Sequence, residues 1–88
     1  MKKNKRPTVE SGDGESAETA IVFTPCDRET RIAAERNHIN EQFGPEGFNW
    51  REAMHLTLFG GRSMWITVQE DGTHRHVYFD NTVSSEFD

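Results

Sequence analysis

The sequence predicts an α+β fold: a two-layer sandwich of order β-α-β-β-β, with a C-terminal antiparallel meander packed on one helix. Three observations carry this reading. Residues 63–80 form two alternating apolar and polar runs joined across Asp71-Gly72, and residues 54–59 alternate in the same way. Between them and the N-terminal third lies a stretch from Cys26 to Phe43 without Gly or Pro, opened by Thr24-Pro25 and closed by Gly44-Pro45.

Asp-Gly is the dipeptide favoured in a type I′ hairpin turn, because both central residues need positive φ. With Asp71 and Gly72 as a two-residue turn, Glu70 faces Thr73, Ile66 faces Val77, Trp65 faces Tyr78 and Met64 faces Phe79. One face of the hairpin then carries Met64, Ile66, Val68, Val77 and Phe79, and the other carries Trp65, Thr67, Gln69, His74, His76 and Tyr78. A Gly60-Gly61-Arg62 loop extends the apolar face onto Met54, Leu56 and Leu58.

The first elements follow from local chemistry. Residues 1–18, rich in Lys, Glu, Ser and Gly, read as a disordered arm because they have too little apolar surface to offset chain entropy. Residues 19–82 form a single domain, and residues 83–88 a flexible tail. Thr19-Ala-Ile-Val-Phe23 reads as a first strand, able to pair at either edge of the meander. Thr24 is placed as the helix N-cap, with Pro25 at the first helical position. Ile32, Ile39 and Phe43 form the apolar stripe with Ala33 and the stem of Arg36, while Glu29, Arg31, Glu35 and Glu41 face water. Residues 50–59 admit a competing helix, capped by Asn49, stopped by Gly60 and presenting Trp50, Ala53, Met54 and Leu58, which would make the order β-α-α-β-β. The strand is preferred because Leu56 would point away from such a helix's buried face.

Composition narrows the function. The chain has 88 residues, of which 33% are apolar, a small supply for a core, so association would add stability. Its single cysteine excludes an internal disulfide framework, and no apolar run follows the basic start, so a cytoplasmic protein without a membrane segment is expected. The net charge of −5 falls on residues 19–88, which contain no lysine, because Lys2, Lys3, Lys5 and Arg6 are balanced by Glu10, Asp13, Glu15 and Glu18. An acidic body disfavours nucleic-acid backbone as a partner.

With the helix on the aliphatic face, the opposite face shows Phe59, Trp65, Thr67, His76, Tyr78 and His55, an aromatic surface that is costly to leave wet. A non-enzymatic interaction or regulatory module is therefore expected, acting through this face on a protein partner or on itself. The alternative is single-stranded nucleic-acid binding, with Phe59, Trp65 and Tyr78 as a stacking platform and Lys2, Lys3, Lys5 and Arg6 on phosphates. A third reading places metal or thiol chemistry at His74 and His76 or at Cys26. Two imidazoles do not complete a metal site, and Cys26 has neither a second cysteine nor an arginine at C-x5-R spacing. No catalytic residue set, metal or cofactor is expected.

Overall fold

A computed structural model describes residues 7–82. The strands β1 (Val9–Ser11), β2 (Ile21–Phe23), β3 (Met54–Thr57), β4 (Arg62–Val68) and β5 (His74–Asp80) form one five-stranded sheet of order β1-β2-β5-β4-β3. Helix α1 (Arg28–Phe43) crosses one face, and a 3-10 turn spans Trp50–Glu52. The two-layer α+β architecture is thus the expected one, and the alternation at 54–57 is a strand. The competing capping signal at Asn49 is spent on the short turn at Trp50–Glu52.

β2 lies parallel to β5, with Ile21 beside Phe79, so the first strand joins the meander at the β5 edge. Part of the expected N-terminal arm is ordered as well. Val9–Ser11 pairs antiparallel with β2, and Thr8 and Thr24 exchange hydrogen bonds, Thr8 N–H to Thr24 Oγ1 at 3.0 Å and Thr24 N–H to Thr8 C=O at 2.8 Å. Composition hid this strand because it contributes backbone pairing and not apolar burial. Residues 1–6 and 83–88, the tip of the arm and the expected tail, lie outside the described residues.

Because Thr24 is engaged with β1, the helix begins later than expected. Asp27 is the N-cap, its carboxylate accepting from the Thr30 N–H at 2.8 Å. The stop is as read from sequence: Gly44, at φ +88°, donates its N–H to the Asn40 carbonyl at 2.8 Å.

The largest correction concerns the β4–β5 register. Val68 faces His74, Ile66 faces His76, Trp65 faces Val77 and Ser63 faces Phe79, one residue away from the expected pairing. The turn explains it. Asp71 does not adopt positive φ; among the turn residues only Gly72 does, at +90°. The loop therefore takes three residues, Glu70, Asp71 and Gly72, closed by the Gln69 N–H to the Thr73 carbonyl at 2.7 Å. Asp71 Oδ1 accepts from the Thr73 N–H and hydroxyl at 3.0 and 2.7 Å, an Asx-type bond that favours this turn over type I′. A slip of one residue turns β4 over. Trp65 and Thr67 consequently face the helix, while Met64, Ile66 and Val68 face away from it.

On β3 the shift is even-numbered, with Met54 facing Ile66 and Leu56 facing Met64, so its parity survives. His55 lies beside Trp65 on the helix side. The core on that side comprises Ile21, Phe23, Ala34, Ile39, Phe48, Val77 and Phe79, with Phe43, Trp50, Ala53 and Trp65 packed against it. Each large buried side chain contributes roughly 1.5–3 kcal/mol. Ile39 is buried as expected, but Ile32 and Phe43 are only half-buried and Ala33 is exposed. Arg31 and Glu35, expected in water, are buried instead.

Candidate functional site

Two surfaces of the sheet result from the register, and they differ in chemistry. On the helix side, a line of rings runs Phe43, Phe48, Trp50, Trp65, His55, with successive centroids 6.0, 4.8, 5.3 and 4.4 Å apart. The last pair is stacked, at an interplanar angle of 14°. Arg36 lies over Trp50, its guanidinium carbon 4.7 Å from the ring centroid, and covers this line from the helix.

Trp65 determines what the helix must supply. A buried indole N–H needs an acceptor, and Glu35 provides it, with Oε1 2.9 Å from Trp65 Nε1. Glu35 is fully buried; His55 Nε2 lies 3.6 Å from Oε1, and Arg31 Nε lies 3.8 Å from Oε2. Burial raises the Glu35 carboxyl from 4.5 to about 7, against the opposing pull of the Trp65 N–H and the Arg31 charge. Burial holds the His55 imidazole below its usual 6.5, helped by the positive charges of Arg31 and Arg28. The arrangement can hold a proton at Glu35 near neutral pH. The Glu35 carboxyl ties the helix to the sheet, bonded to Trp65 and lying beside His55 and Arg31.

The opposite side of the sheet is open. It carries Met54 and Leu56 from β3, Met64, Ile66 and Val68 from β4, and His74, His76 and Tyr78 from β5. Met54 is 55% exposed and Val68 39% exposed, while Leu56, Met64, Ile66 and Tyr78 are half-buried. The rings of His76 and Tyr78 meet edge to face at 5.4 Å. Arg62 and Asp80 close one end of this face with an ion pair at 3.7 Å.

The six residues expected to share an interaction face are therefore divided. Trp65, Thr67 and His55 are on the helix side of the sheet, where His55 stays exposed and Thr67 is 1% exposed, its hydroxyl donating to the Asn49 carbonyl. His76 and Tyr78 lie on the open side. Phe59 is on neither, standing fully exposed on the β3–β4 turn. The structure does not bring Phe59, Trp65 and Tyr78 together as a stacking platform, and Lys2, Lys3, Lys5 and Arg6 lie outside the described residues. His74 and His76 share the open face, but His55 is on the other side of the sheet. Cys26 is half-buried just before the helix N-cap. Among the described residues, no three or more His, Cys, Asp or Glu side chains are placed to share a metal ion. No helix among them is long and apolar enough to cross a membrane.

Sequence reasoning missed Met54, Leu56, Met64, Ile66 and Val68 as surface residues, and Glu35 as a buried one. One signal was available: Thr73 after Asp71-Gly72 supplies the two donors that an Asx-type turn uses. Comparison of the chain with protein-family models, with curated proteins and with solved structures finds no match in any of the three.

Proposed function

We propose that this chain is a small non-enzymatic protein-interaction module whose binding surface is the open sheet face. The observation that carries the reading is the continuity of Met54, Leu56, Met64, Ile66, Val68 and Tyr78 across β3, β4 and β5, on the side that α1 leaves uncovered. Apolar patches of this kind, bounded by polar side chains, are characteristic of interaction sites. The occupant is an amphipathic helix of a partner protein. A helix on a twisted sheet is the packing the other face already uses, and a second helix would complete a three-layer arrangement. The net charge of −5 favours a helix with basic flanks over an acidic one.

An amphipathic Leu/Lys peptide and its Leu/Glu counterpart, each about four helical turns long, serve as probes in a fluorescence titration. The Leu/Lys peptide binds the wild type, the Leu/Glu peptide binds at least about tenfold more weakly, and Ile66→Asp removes both interactions while leaving the near-ultraviolet spectrum of the Trp65 layer intact. Equal binding to wild type and Ile66→Asp, or no binding to either, overturns the proposal.

A further inference from the structure

Strand β3 ends the sheet among the described residues, and its free edge has a specific pattern. The Leu58 N–H donates to the Arg62 carbonyl at 2.7 Å, which fixes the phase of the β3–β4 ladder. By the alternation of an antiparallel pair, Met54, Leu56 and Leu58 direct their backbone groups toward β4, and His55 and Thr57 direct theirs outward. Proteins protect such edges with charged side chains, Pro or bulges. The sequence Met-His-Leu-Thr of β3 contains none of them, and its ladder to β4 is regular. The two most exposed large apolar side chains, Phe59 at 100% and Met54 at 55%, flank this edge.

We infer that a second copy of this chain pairs antiparallel along β3 about a two-fold axis at Leu56. In that register His55 of each copy lies opposite Thr57 of the other. Both carry outward N–H and C=O groups, so both pairs are of the hydrogen-bonded type, and the central Leu56 pair is of the other type. A register centred on His55 or Thr57 would fill fewer of the free groups. The same register sets Met54 against Leu58 of the second copy and Phe59 against its Ala53, so the exposed apolar side chains gain contacts at both ends. The two sheets become continuous, and their open faces merge into one surface. The β3 edge pairing is independent of whatever occupies the open face.

Sedimentation velocity from about 5 to 200 μM, bracketing a micromolar dissociation constant, tests the pairing on wild type, Thr57→Pro and Ile66→Asp. Proline at 57 removes an outward N–H without touching the β4 ladder. The wild type and Ile66→Asp form dimers, and Thr57→Pro is monomeric. In the wild type, exchange of the His55 and Thr57 amides slows by about three- to sixfold between the ends of that range, as the monomer fraction falls; this readout does not depend on how well Thr57→Pro folds. A monomeric wild type, exchange of these amides that ignores concentration, or a dimer lost in Ile66→Asp but kept in Thr57→Pro overturns the inference. The last outcome would assign self-association to the open face.

Discussion

The indole N–H of Trp65 donates to Glu35 Oε1 at 2.9 Å, tying the centre of β4 to a fully buried carboxyl on α1. The bond exists only because the hairpin register turns Trp65 toward the helix. It explains why a residue with the pattern of a solvated helix face is buried. Deleting the donor leaves the carboxyl without that bond, and Trp65→Phe costs about 1–3 kcal/mol beyond the lost ring area. In urea unfolding, the Trp65→Phe/Glu35→Leu double variant, in which neither partner of the bond remains, departs from additivity by at least about 0.5 kcal/mol. Strict additivity would show that the bond contributes nothing.

The same carboxyl gives the protein a pH signature. Above about 4.5 the unfolded chain releases the Glu35 proton, whereas the folded chain keeps it to about 7. The Glu35 contribution is therefore full below 4.5, declines as pH rises through that window, and is lost above about 7. His38 and His55 act in the opposite sense. Burial holds both below 6.5, so the unfolded state gains protons more readily, and their contribution is full above 6.5 and lost as pH falls. Glu35→Gln removes only the first effect. The stability difference between wild type and Glu35→Gln shifts by on the order of 2–3 kcal/mol from about pH 5 to about pH 8, in favour of the variant at the higher pH. Parallel profiles for the two proteins would place Glu35 in water.

The two sides of β4 predict opposite tolerances at adjacent positions. Thr67→Val keeps the shape but leaves the Asn49 carbonyl without its hydroxyl donor, and lowers stability by about 1–3 kcal/mol. Ile66→Asp lies on the open face and costs about 1 kcal/mol or less, whereas Val77→Asp buries an unpaired carboxylate in the core and prevents folding. Thermal unfolding followed by circular dichroism ranks the three. An unfolded Ile66→Asp beside an unperturbed Thr67→Val would restore the other register.

At the turn, Gly72 holds φ at +90° and a Cβ there would meet no heavy atom within 4 Å. Gly72→Ala therefore tests backbone strain alone and costs on the order of 1 kcal/mol. Asp71→Ala, which removes both bonds to Thr73, lowers the melting temperature as well. No loss in Asp71→Ala would leave the three-residue loop without its physical cause.

Much of the architecture is legible in the residues because it rests on local chemistry. The helix stop at Gly44, the burial of Ile39, and strands at Ile21–Phe23, Met54–Thr57 and His74–Asp80 follow from conformational freedom, periodicity and β-branched content. The inward direction of Val77 and Phe79 is also legible. β1 is not, because Val9–Ser11 is held by pairing with a distant strand. The helix start was misplaced because Thr24 and Asp27 are both competent caps, and the contact with Thr8 decides between them.

By itself the sequence determined that this chain alternates, that one helix covers one side of a sheet, and that the other side is left for something else. Only the tertiary structure decided which side is which. A period of two makes every strand two-faced, and a single residue in the turn selects the face. Asp71 bonded to Thr73 instead of taking positive φ, so the rings went beneath the helix with Glu35, and the aliphatic side chains went to the surface.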